Sequence, residues 1–215
     1  MLEAQAGHMH SAQIFLLSPA YCGGRRTKAL LRADSAMPLA AQLREGRLTL
    51  GEAFSFISGL YFRGKLTYAL RFGPGDAAVA DHTLIITPTR GLQRPEVLVT
   101  ADMLREFATV DIASEDERYW APLARDLSTL VETLPEAARV VLLGSIATGK
   151  YVDQLASVFG ARLLYPPSFI GRGDMSRGGL LLRSAREGVE LDYAVLDPSE
   201  RRRGPRPPKL PRLDR

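Results

Sequence analysis

The chain has a single cysteine, Cys22, and only three histidines, two of which, His8 and His10, sit near its start. That excludes an intramolecular disulfide and a cysteine-rich zinc site. It also leaves little material for a transition-metal centre, so the sequence predicts no metal and no cofactor. No apolar run approaches the roughly 20 residues needed to span a bilayer, and no charged-then-apolar leader opens the chain. The expectation is a cytoplasmic protein without a membrane partner. What is there suits one sizeable core: 215 residues, 46% of them hydrophobic and 24% charged. The expected organisation is a single α/β domain over residues 13–199. Residues 1–12 precede it as a disordered or tag-derived N-terminus, and a basic, Pro-rich tail follows at 200–215.

Charge is unevenly placed along the chain. From Glu200 onward there are seven Lys/Arg against Glu200 and Asp214, so the tail is near +5 and, with a total of +4, the body near −1. Such a segment buries too little apolar surface to fold alone. Arg201, Arg202, Arg203, Arg206 and Lys209 offer DNA or RNA an electrostatic arm; the alternative is a solvated terminus or a segment lying across its own domain.

The segment that organises the chain is 139–159, RVVLLGSIATGKYVDQLASVF. A continuous apolar run at 140–143 predicts a strand covered on both faces, and the helical spacing of Tyr151, Val152, Leu155, Val158 and Phe159 predicts a helix ending at Gly160. Further strands are expected at 13–18, 83–87, 161–165 and 190–196, and helices at 36–45, 50–72, 102–107 and 122–134. Gly59 and Gly64 are expected to break or kink the second of these helices. The alternation predicts an α/β fold with a mainly parallel sheet of about five or six strands.

Open α/β sheets bind ligands outside the carboxyl ends of their strands, which singles out four segments. After residue 18 come Cys22, Arg25 and Arg26 among glycines; after residue 87 come Thr89, Arg90 and Gly91 in a similar arrangement. Paired arginines beside glycines hold phosphate or carboxylate bidentately, and the alternative is exposed solubilising charge. Cys22 is a candidate nucleophile if neighbouring cations lower its pKa, and otherwise a small loop thiol. The third segment, GSIATGK at 144–150, has the glycine and lysine positions of a phosphate-binding loop, with Gly144, Ser145, Thr148, Gly149 and Lys150 as contacts. Tyr151 stands where that motif needs Ser or Thr for magnesium. The fourth reads as a glycine-rich loop carrying Arg172, Asp174, Ser176 and Arg177, with Asp174 the candidate acid/base group. Tyr61, Arg63, Lys65 and Tyr68 interleave aromatics with cations, an arrangement that stacks and neutralises nucleotides, or else edges a core.

Several short motifs in order resemble the archaeosine-synthase-type catalytic domain, which is grouped with uracil-DNA-glycosylase-like α/β folds. They are SPA at 18–20 followed by Arg25 and Arg26, SGLY at 58–61 leading to Tyr68, ITPTRGL at 86–92 with Pro95, and VLLGS at 141–145 with Tyr151. The resemblance spans about residues 13–196. It implies a three-layer sandwich whose strand ends bind a nucleobase or modified nucleotide in nucleic acid; any reaction there is expected to be base modification or N-glycosidic chemistry. The Gly-Gln-Asp-Pro and His-Pro-Ser motifs of glycosylase catalysis are absent, so the resemblance implies a ligand class and not a reaction. Two other readings are a P-loop-like phosphoryl-transfer protein using residues 144–150, and a non-catalytic nucleic-acid adaptor using the tail.

Overall fold

Residues 14–17 are fully buried because they cross the middle of the molecule with apolar side chains on both faces. The computed structural model describes residues 12–73, 81–112, 116–146, 151–197, 204–205 and 207–208. Strand β1 (Gln13–Leu17) lies between β2 (Thr83–Ile86) and β4 (Arg139–Leu143), parallel to both. A two-residue strand, β3 (Leu92–Gln93), flanks β2, while β5 (Leu163–Tyr165) and β6 (Ala194–Val195) extend the other side. The order is β3-β2-β1-β4-β5-β6.

The sheet is mixed, which corrects the expectation of a mainly parallel one: β3 and β6 run antiparallel to their neighbours. At β3 the cause is local. The chain doubles back after β2 through Gly91 at φ +59°, whose carbonyl accepts both the backbone N–H and the hydroxyl of Thr87, at 2.8 and 2.9 Å. A ladder of such short reach appears in sequence only as a loop.

Strict alternation sorts the strand residues between two apolar clusters. Phe15, Leu17, Ile85, Val141 and Leu143 face one set of helices: α1 (Arg25–Leu31), α2 (Pro38–Arg44), α3 (Leu50–Ser58), α4 (Leu60–Phe72), α5 (Ala101–Phe107) and, after the C-terminal half of the sheet, α8 (Asp174–Glu187). Ile14, Leu16, Leu84, Ile86, Val140 and Leu142 face α6 (Glu117–Thr133) and α7 (Val152–Phe159). Helices therefore cover both faces. No helix among the described residues is long and apolar enough to cross a membrane.

Two helices differ from expectation in an informative way. The segment 50–72 is split at Gly59, φ +66°, into α3, which Thr49 and Glu52 start with a reciprocal capping box, and α4. Gly64 does not break α4. A Cβ there would lie 2.7 Å from the Gly178 carbonyl oxygen, and one on Gly178 would lie 2.6 Å from the Leu60 carbonyl oxygen, so two glycines let α4 and α8 touch backbone to backbone. The glycine-rich stretch expected to be a loop at 172–177 is thus mostly helix, because here glycine supplies closeness and not flexibility.

The expected strand at 190–196 shortens to β6 because its first half is held by side chains. Tyr68 and Tyr193 share a 2.6 Å hydrogen bond between hydroxyls, the Leu191 N–H donates to the Tyr68 oxygen at 2.9 Å, and Tyr193 donates to Glu190 at 2.7 Å. Tyr68→Phe should destabilise the fold by about 1–3 kcal/mol, since it leaves a backbone N–H and a phenol without their partner. A urea melt checks this, and an unchanged midpoint would mean that water replaces the network.

Candidate functional site

The connection from β1 crosses to β2 on one side, whereas β4 and β5 continue on the other, so the loops after β1 and β4 diverge at a topological switch point. A cavity of about 330 Å³ opens there. Its walls are the loop from Ser18 to Cys22, Tyr61 and Lys65 on α4, Pro88 after β2, Phe107 and Asp111 at and beyond the end of α5, Ser145 and Tyr151 around the β4–α7 turn, and Asp174 on α8. The lining combines apolar side chains, Ala20, Phe107, Val110 and Ile112, with hydroxyls, an amine and two carboxylates.

Lys65 is the buried charged residue of this lining. It is in phase with the buried face of α4, together with Tyr61, Phe62, Tyr68 and Ala69, and only 1% of it is exposed. Its Nζ donates to the Ser18 carbonyl at 2.6 Å and to Ser18 Oγ at 2.8 Å. The rings of Tyr61 and Phe62 each lie 4.7 Å from Nζ, measured to the centroid. Burial pulls the amine down from 10.5 to about 7, against the opposing pull of Asp174's charge. Burying a lysine this completely is costly, and a buried amine with a displaced pKa on a cavity wall is a functional-site candidate.

The surrounding hydroxyls are held by the same packing. Gly144 has no side chain where a Cβ would stand 2.6 Å from Tyr151 Oη and 2.9 Å from Ser18 Cβ. The Tyr151 phenol fits into that space and donates to the Ser145 carbonyl at 3.0 Å, with Ser18 as its other partner. Burial pushes its pKa up to about 12. The residue at the Ser/Thr position of the phosphate-loop motif is thus turned inward, 2% exposed, onto its own loop. Tyr61 is pushed up by burial as well, against the opposing pull of the Arg177 guanidinium beside it.

Of the residues expected to form the site, Cys22, Ser145 and Asp174 line the cavity. Cys22 does so as a protonated thiol. It is buried, donates weakly to the Ala20 carbonyl at 3.5 Å, and is pushed up to about 12, the reverse of the activation expected of a nucleophile. Asp174, mostly exposed on the first turn of α8, faces Arg177 at 3.7 Å. Arg177 is buried behind it, donating to the Phe169 carbonyl at 3.3 Å with its guanidinium over the Phe169 ring.

The remaining cations do not converge on the cavity. Arg25 and Arg26 open α1 and are exposed, and Arg26 donates to the Phe56 carbonyl at 3.1 Å. Thr89 and Arg90 are both spent on Glu106, and Gly91 makes the β2–β3 turn. Arg172 binds the Ser168 carbonyl, Ser176 Oγ and the Pro208 carbonyl. Thr148, Gly149 and Lys150, and Arg201, Arg202, Arg203, Arg206 and Lys209 of the tail, lie outside the described residues. The described tail residues pack against the domain itself: a Cβ on Gly171 would lie 2.9 Å from the Pro205 carbonyl carbon.

Sequence reading weighed Lys65 only as part of an aromatic and basic span, and it did not single out Ser18 as a chemical group. The available signal was phase. A lysine spaced i+4 from Tyr61 and i−4 from Ala69 falls on the buried stripe of α4, where lysine is rare unless satisfied or functional. Compared with family models, curated proteins and solved structures, the chain matches none.

Proposed function

We propose that the chain is an enzyme that binds a nucleobase or nucleotide in the switch-point cavity and modifies the base. The observation that carries this reading is Lys65, a fully buried amine with a near-neutral pKa on the cavity wall, hydrogen-bonded to Ser18 and given no directly paired carboxylate among the described residues. The cavity's volume, about 330 Å³, suits a base-sized ring and not a large cofactor. Tyr61 and Phe107 offer aromatic surface, while Ser18, Ser145 and Asp174 supply the mixed donors and acceptors that a base edge requires. The motif resemblance to archaeosine-synthase-type, uracil-DNA-glycosylase-like domains supports the same ligand class. Binding through a P-loop is less favoured, since Tyr151 is committed to its own loop.

A thermal-shift panel of the full chain against nucleobases, deazaguanines, nucleosides, nucleotides with and without magnesium, and short oligonucleotides tests the proposal. A base or nucleoside should raise Tm without magnesium by mass action. Asp174→Asn should weaken that ligand by about tenfold, the scale of one charged hydrogen bond. Stabilisation by magnesium-ATP alone, or by nothing in the panel, would overturn it.

A further inference from the structure

Ser18 is held on both sides of its backbone. Its N–H donates to the Leu143 carbonyl across the β1–β4 pair at 3.1 Å, and its carbonyl accepts from Lys65 Nζ at 2.6 Å. The side chain therefore starts from a fixed point, with Oγ 2.8 Å from the same Nζ. The charged amine donates to both Ser18 oxygens; once neutral, it can keep one N–H on the carbonyl and turn its lone pair to the hydroxyl. A nucleophile and a base within hydrogen-bond reach are the core of an activated serine, and here the carbonyl of the same serine orients the base. Ser18 is the more open of the two residues, 7% exposed against 1%, and both border the cavity.

We propose that Ser18 is a nucleophile and Lys65 its general base, and that the cavity carries out acyl transfer on an amide or ester attached to a base-sized ring. This rests on the cavity being the ligand site proposed above and names the reaction performed there. Ser18 Oγ bonds to the acyl carbon as its proton passes to Lys65 Nζ. The tetrahedral intermediate then expels the amine or alcohol, which leaves with that proton. Water attacks the acyl-serine, gives a proton to Lys65, and Ser18 recovers it as the acid departs. The net change is addition of water across the acyl bond, with no oxidant or reductant. The transient ammonium is stabilised where it forms, by the faces of Tyr61 and Phe62 and by the charge of Asp174. Tyr151, also a hydrogen-bond partner of Ser18, limits where Oγ points.

The experiment is labelling of the full chain with a fluorophosphonate, which phosphonylates an activated serine with loss of fluoride, read by intact mass and peptide mapping. One label at Ser18 is expected, absent in Ser18→Ala and slowed at least about 100-fold in Lys65→Arg, which keeps a donor but has no accessible base. Ser128→Ala, on the exposed face of α6, should label as the wild type does. No label at Ser18 in a protein that still responds to a base in the thermal-shift panel would overturn the dyad and leave the ligand site standing. Labelling at Ser18 without any stabilising ligand would remove the nucleobase reading and keep the dyad. Reductive trapping of a carbonyl ligand on Lys65 by borohydride would overturn the assignment of roles, making the amine the nucleophile. The wild-type measurements decide the question even if a variant fails to fold.

Discussion

Gly178→Ala should destabilise the fold by about 2–3 kcal/mol, although alanine is the better helix former by about 1 kcal/mol. The new methyl would stand 2.6 Å from the Leu60 carbonyl oxygen and 2.9 Å from Tyr61 Cα, and both are backbone atoms of α4 that no rotamer change can move. Relief requires α8 to lift away from α4. That motion carries Asp174 and Arg177 away from Tyr61 and Lys65, so ligand response should fall together with stability. Gly64→Ala meets the Gly178 carbonyl oxygen at 2.7 Å and should behave alike, and the double variant should cost less than the two singles added, because one separation relieves both clashes. Gly173→Ala has open space around its Cβ and should cost about 1 kcal/mol at most, the scale of an N-cap change. Urea midpoints for the four variants and the wild type test this, and a Gly178→Ala chain as stable as wild type would mean that the two helices do not meet at this distance.

The same glycines explain where sequence reading succeeds and where it stops. Strands β1, β2 and β4 were legible because runs such as IFLL and VVLL, at 14–17 and 140–143, have no polar residue to turn toward water, a pattern that only a strand buried on both faces tolerates. Helix α7 was legible from its spacing and its terminal glycine. The start of α8 was not, because a glycine needed for its φ and a glycine needed for its small size look identical in sequence. Nor could Pro122 reveal that α6 begins five residues earlier, at Glu117 under an Asp116 cap. For the site, strand-end logic found Cys22, Ser145 and Asp174. It overcounted the arginines because it could not see partners distant in sequence, such as Glu106 for Arg90 and the Phe56 carbonyl for Arg26. Lys65 and Ser18 lie 47 residues apart, and only the packing of α4 against the end of β1 makes them a pair.

Burial of Lys65 gives the wild type a stability that rises with pH just above neutrality, and Lys65→Met should abolish the rise. Lys65 is near 7 in the folded chain and 10.5 when unfolded. Between those values the unfolded chain binds the extra proton, so stability increases with pH; below about pH 7 both states are protonated and the dependence vanishes. The groups facing Lys65 limit the useful window. Asp174 and Arg177 come from α8, Asp111 from beyond α5, Tyr61 from its own helix, Tyr151 from the turn before α7 and Cys22 from the loop after β1. The phenols and the thiol are pushed upward by burial, so they lower stability once their unfolded forms ionise, from about 9 for Cys22 and 10 for the tyrosines. From pH 7 to about 8.5 the lysine is the strong contributor among these groups, and the wild type should gain about 1.5 kcal/mol over Lys65→Met, on the scale of 1.36 kcal/mol per proton per pH unit. The comparison concerns slope and not level, since methionine removes both the desolvated charge and the donor to Ser18. Parallel stability profiles across that window would mean that the amine keeps an ordinary pKa and is charged at neutral pH. A charged Lys65 can orient Ser18 but cannot take its proton, so the same melts that test the buried amine also test whether the site has a base at all.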